Sequence, residues 1–202
     1  MQVLEAPSNS GLKKPGPPKR FVFTTDAFHE MARTGLLGDD HSRLELLNGE
    51  IFELVPIGQR HAASVDRLNR VFSRHLPDFC LVRVQNPIRI SRVSEPLPDI
   101  SIVKGSELDF LKAPPGPEET LLIVEVADTT LTHDTGDKAR VYARAGIQEY
   151  WVIDLESSRL RVFRDPEGDE FRQTLIVAHG DSISLNSLPE LQFHVTDLLL
   201  PA

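Results

Sequence analysis

Hydrophobic and polar positions change period several times along the chain, and each period predicts an element. In "RHAASVDRLNRVFSRHL", Ala62, Val65, Leu68, Val71, Phe72 and Leu76 recur at steps of three and four. That spacing predicts an amphipathic helix with one buried face. Before it, "RLELLNGEIFEL" alternates on both sides of Asn48-Gly49, which predicts a β-hairpin with a two-residue turn. In such a hairpin Glu45 faces Phe52 and Leu47 faces Glu50, so Glu45 and Glu50 share a face. "FTTDAFHEMARTGLL" predicts a short helix capped by Thr24 or Thr25 and ended by Gly35.

Further along, "CLVRVQNPIRI" and "LPDISIV" read as strands, the second introduced by Pro98, and residues 104–119, with three prolines, as a loop. "TLLIVEVA" is almost continuously apolar, the mark of a central strand covered on both faces. The segment up to Gly146 predicts a helix capped by Asp134 or Thr135, with Val141, Tyr142 and Ala145 as its apolar stripe. "EYWVIDL" and "RLRVFR" predict a hairpin across Glu156-Ser157-Ser158, with Tyr150, Trp151 and Cys80 as core residues. The rest predicts one or two short strands and a terminal turn around "VTDLLL". Helix, three strands, helix, strand is the order of a mixed sheet covered on both faces, an α/β sandwich.

Composition narrows this picture. A chain of 202 residues suits one well-cored domain. Residues 1–20, rich in Pro and Gly, predict a disordered basic arm, leaving 21–202 as the domain. One cysteine excludes an internal disulfide and a cysteine-cluster zinc site, and fits a reducing cytoplasm. No apolar run has the length of a membrane span, and the N-terminus lacks the apolar core of a secretory signal. The formal charge is −8; the arm, with Lys13, Lys14, Lys19 and Arg20 against Glu5, carries +3 and the body −11. So acidic a body is a poor electrostatic partner for nucleic acid unless a local basic patch exists. Arg83, Arg89 and Arg92, or the arm, are candidates for one.

The exception to the apolar pattern is Glu125, a carboxylate in the middle of a run that reads as buried strand. Buried charges are normally paired or bound to metal. Asp99 starts "PDISIV" and Glu125 lies near the end of "LLIVEVA". If the two strands run antiparallel, the carboxylates meet, and such oxygen ligands suit a hard cation such as Mg²⁺. Lys138, early in the following helix, can reach back over the strand end. Two acids, a metal and a lysine form a plausible phosphodiester-cleaving site. Asp134 and Asp137 read as helix N-terminal charges, and His61, at the start of the amphipathic helix, as a further site candidate. No Gly-rich phosphate loop, GxSxG elbow or Rossmann glycine pattern is present.

Pro98-Asp99 followed by Val124-Glu125-Val126 resembles the PD-(D/E)XK nuclease superfamily. The fuller pattern "ELLNGEI … PDISIV … IVEVADTTLTHDTGDKARVYARAGIQEYWVID" resembles the Uma-type family of bacterial proteins described as restriction endonucleases, over roughly residues 40–165. The resemblance implies a restriction-endonuclease-like α/β/α sandwich with an added N-terminal hairpin, a divalent metal (Mg²⁺, or Mn²⁺), DNA as substrate and a homodimer. It matches Asp99 and Glu125 to the metal-binding acids and Glu45 to a further acid, with Glu50 as runner-up. The superfamily lysine expected two residues after the glutamate is Ala127 here. The resemblance implies that Lys138 takes over its role, and equally leaves room for a non-catalytic binding or regulatory module.

Overall fold

The computed structural model describes residues 19–38, 44–54 and 56–201. Most of the expected arm, Lys13 and Lys14 included, lies outside them. Helix α1 (Thr25–Arg33) is capped by Thr24, whose hydroxyl accepts from the Ala27 N–H at 3.2 Å, and Gly35 follows it at φ +75°. Strands β1 (Leu44–Leu47) and β2 (Glu50–Glu53) pair in the expected register, Glu45 with Phe52 and Leu47 with Glu50. Asn48 and Gly49 both take positive φ, as a twisted two-residue turn requires. Helix α2 (Gln59–His75) buries Ser64, Val65, Leu68 and Phe72.

A six-stranded sheet follows: β3 (Cys80–Val84), β4 (Ile100–Lys104), β5 (Thr120–Ala127), β6 (Glu149–Asp154), β7 (Arg159–Glu167) and β8 (Glu170–Val177), adjacent in that order. It is mixed: β5 and β6 run parallel and the other neighbours antiparallel. The β5–β6 crossover is helical, in three pieces: α3 (Leu131–His133), a π-helical turn (Asp134–Lys138) and α4 (Ala139–Arg144). A second hairpin, β9 (Ser182–Leu185) and β10 (Leu188–His194), leads into α5 (Val195–Leu198).

Two cores sandwich the sheet. On one face α2, α5 and the β9–β10 hairpin cover Ile100, Ile102, Val124, Val126 and Trp151. On the other, Leu47, Ile88, Ile90, Val141 and Tyr142 pack on Ile123, Tyr150 and Val152. Fully burying a Leu, Ile or Phe contributes about 1.5–3 kcal/mol, so these two layers hold the sheet between them.

The structure departs from the sequence reading in four places. The strand expected over 80–90 stops at Val84, because Gln85 adopts φ +50° and Pro87 follows without a donor N–H. The crossover helix starts at Leu131, not at a cap on Asp134 or Thr135, because the wider π turn absorbs the extra residues. The C-terminal portion forms three strands and a helix where fewer were expected. Cys80 is only partly buried, packed against the rim of the first core.

Candidate active site

Strands β4 and β5 pair antiparallel with Ile100 opposite Val124. The next step of that register sets Asp99 opposite Glu125. The Val126 N–H donates to Asp99 Oδ2 at 2.9 Å, tying the carboxylate to the neighbouring strand. His61, in the first turn of α2, meets the same oxygen at 2.9 Å, and Gln85 Nε2 donates to Asp99 Oδ1 at 3.2 Å.

Glu125 points to the face covered by α4, and both it and Lys138 are 4% exposed. Lys138 Nζ stands 3.0 Å from Glu125 Oε1 and 3.2 Å from Glu45 Oε2. The Tyr142 hydroxyl donates to Glu125 Oε1 at 2.8 Å. Glu45 Oε2 also accepts from the Leu97 N–H at 3.2 Å. Glu125 Oε2 and Glu45 Oε1 have no hydrogen-bond partner among the described residues.

The π turn explains how a helix residue reaches a strand carboxylate. Winding with hydrogen bonds from residue i to i+5 turns Lys138 inward, whereas Asp137 beside it is exposed. Asp134, in the same turn, is buried and accepts from the Thr130 hydroxyl at 2.5 Å.

These groups open onto a cavity of about 960 Å³ lined by β2, the start of α2, the ends of β4 and β5, and the crossover helix. Among the described residues, seven carboxylates line it against one Lys and no Arg. The field has consequences. Burial drives the Glu125 carboxyl up to about 8; Lys138 opposes this, and Asp99, Asp134 and Glu45 reinforce it. Burial alone would lower the Lys138 amine, but Glu125, Glu45 and Asp134 outweigh that and raise it. Lys138 therefore keeps its proton, and Glu125 is the member of the pair pushed toward protonation. Burial also raises Asp134. His61 loses by burial but ends raised, through its hydrogen bond to Asp99 and the charges of Asp99, Asp128 and Asp134.

Asp99, Glu125, Glu45 and Lys138 are thus gathered in one place, and His61 joins them. Glu50 is not among the cavity-lining residues and pairs with Arg20. Of the expected basic patch, Arg89 is spent on buried Glu95 at 2.7 Å, and Arg83 lies over the Phe110 ring. Sequence reasoning missed Gln85, Asp134 and Tyr142. Only Tyr142 left a signal: it lies four residues after Lys138, on the same helical face.

The sequence model of the Uma2 family, described as "Putative restriction endonuclease", matches residues 25–196. The chain belongs to this family. Five solved chains match it in structure. One is described as a putative nuclease belonging to DUF820 from Anabaena variabilis, with a TM-score of 0.58 and 19% identity over 87% of this chain and 97% of that one. Among curated proteins none matches. The neighbour supports a restriction-endonuclease-like fold, and the Uma2 match puts the chain in a family described as restriction endonucleases. Among the described residues, no helix is long and apolar enough to cross a membrane.

The family implies a divalent metal, and the donor chemistry can be tested for it. No group of three or more His, Cys, Asp or Glu side chains forms a ready cage among the described residues. The site does offer a carboxylate just before β4 and one on the adjacent β5, the latter with an oxygen that has no partner among the described residues, in a field of excess negative charge. That fits a cation such as Mg²⁺, which commonly takes one or two protein carboxylates and fills its other positions with water and substrate phosphate.

Proposed function

We propose that this Uma2 protein is a divalent-metal-dependent endonuclease that hydrolyses phosphodiester bonds in DNA. One observation carries the proposal: Asp99 and Glu125, on neighbouring antiparallel strands, open onto one cavity with the Lys138 amine 3.0 Å from Glu125. Asp99 and Glu125 hold Mg²⁺ or Mn²⁺, and Glu45 is the third acid of the set. When bound there, the ion supplies an activated water and neutralises charge on the scissile phosphate.

The chain's own groups do the rest. His61, Gln85 and the Val126 N–H fix the Asp99 carboxylate from three directions. Tyr142 and Lys138 both take Glu125 Oε1, which leaves Oε2 for the ion. Lys138, kept protonated by its acids, donates to a phosphate oxygen as charge develops there. It stands in for the lysine that Ala127 replaces. A homodimer would extend a groove that one acidic subunit lacks.

The test is nicking of supercoiled plasmid with Mg²⁺ or Mn²⁺. Wild type should nick, and Asp99→Ala and Glu125→Ala should each lose at least a hundred-fold in rate. Equal nicking by all three proteins would assign the activity to a contaminant and end the proposal. One observation favours a second reading, a non-catalytic binding module: Lys138 is already committed to two carboxylates. Folded wild type that binds metal and never nicks would establish that reading instead.

A further inference from the structure

The cavity has a second wall that the hydrolytic groups do not use. Phe52 on β2 and His133 at the end of α3 both line it, with ring centroids 5.7 Å apart and planes inclined at 41°. Pro56, Ile57 and Leu97 also line the cavity, and Ile57 is 43% exposed. This ledge adjoins the acids: Phe52 is the cross-strand partner of Glu45, which lies 3.2 Å from Lys138. Directly opposed side chains on paired strands sit about 4.5–5.5 Å apart at Cβ.

Charge argues about what can enter. Non-specific affinity for duplex DNA comes from neutralising phosphates, with a salt slope of about −0.9 per contact, against about −0.7 for a single strand. Among the described residues Lys138 is the only Lys or Arg lining the cavity, and without substrate it is ion-paired with Glu45 and Glu125. A duplex would bring dense phosphate charge to Glu53, Asp128 and Asp137 at this cavity and gain nothing there. An unpaired base has a different source of affinity, since stacking on an aromatic side chain is worth about 1–3 kcal/mol per base.

Resting on the nuclease reading, we propose that the substrate is single-stranded or locally melted DNA. A nucleobase next to the scissile phosphate stacks on the Phe52–His133 ledge. The ledge sets substrate class and the acids do the hydrolysis.

The experiment measures binding and cleavage separately. Binding of a fluorescein-labelled 12-nucleotide single strand and its matched 12-bp duplex is followed by anisotropy in Ca²⁺, whose loose coordination suits binding. Cleavage of both is followed in Mg²⁺ and in Mn²⁺. His133→Ala removes a ring that is one-third exposed. Phe52→Leu removes the other while keeping its bulk against the second core. Wild type should bind the single strand at least ten-fold more tightly than the duplex. Each variant should lose about 5- to 160-fold for the single strand, the equivalent of 1–3 kcal/mol, with unchanged melting temperature for His133→Ala. Duplex binding as tight as single-strand binding, wild-type binding by both variants, or no binding of either probe would overturn the ledge. Single-strand binding that depends on the rings, without cleavage, would leave the ledge standing and sink the nuclease reading. Duplex cleavage indifferent to both rings would do the reverse.

Discussion

Lys138 is the residue on which the buried charge turns. Among the described residues it is the one cation placed between Glu45 and Glu125, and Tyr142 adds the only other side-chain donor to Glu125. Removing one partner of a buried ion pair costs about 3–5 kcal/mol, because the other charge stays buried. Lys138→Met should therefore lower unfolding stability by about that much at pH 8, read by urea denaturation, and by less at pH 5, where Glu125 takes a proton. Unchanged stability at both pH values would mean that the pair is not formed in solution. Glu125 also gives a signed pH dependence. Its folded pKa, about 8, lies above the ordinary 4.5, so the folded state binds the extra proton between these values. Metal-free stability then falls as pH rises from 4.5 to 8, by on the order of a few kcal/mol. In Glu125→Gln that part of the slope disappears, and a wild-type slope retained in the variant would refute the assignment.

At the scale of elements, the site depends on one hairpin and one irregular helix. Gly49 takes φ +76°, and a Cβ there would stand 2.5 Å from the Val22 Cβ. Its carbonyl also accepts from the Phe23 N–H at 2.9 Å, joining the hairpin to the segment before α1. Gly49→Ala should cost about 1–3 kcal/mol from backbone strain, and more from the clash. It should also reduce nicking, because β1 carries Glu45; a variant with wild-type melting and nicking would show that the turn relaxes freely. The hairpin was readable from sequence, since Asn-Gly between alternating runs leaves few other choices. So was the placement of Asp99 beside Glu125, because antiparallel pairing sets the start of one strand against the end of the other. The π turn was not. Nothing in "THDTGDKAR" distinguishes five-residue from four-residue winding, so Asp134 read as a cap and Lys138 was as easily a solvated face residue. Gln85 was hidden for a related reason: its positive φ breaks a run of strand-like residues, and local composition gives no sign of it.

For the whole molecule, the decisive property is excess negative charge around a buried carboxylate pair. The body carries −11 once the arm is set aside, and among the described residues seven acids line one cavity. The folded chain alone pays for this concentration by protonating Glu125 or holding it on Lys138. A divalent ion offers the alternative, and anything that binds only the folded state stabilises it by RT ln(1 + [L]/Kd), about 2.7 kcal/mol at a hundred times Kd. For a chain of this length each kcal/mol shifts the melting temperature by about 2–4 °C. Saturating Mg²⁺ or Mn²⁺ at pH 8 should therefore raise the melting temperature by about 5–10 °C, and a chelator should reverse it. At pH 5 the gain shrinks, because the ion must then displace the proton on Glu125. Asp99→Asn and Glu125→Gln should each abolish most of the shift, whereas Glu50→Gln, outside the cavity, should keep it. A shift of equal size in all four proteins would place the ion elsewhere on the acidic surface, and the Asp99–Glu125 pair would lose its claim to the metal.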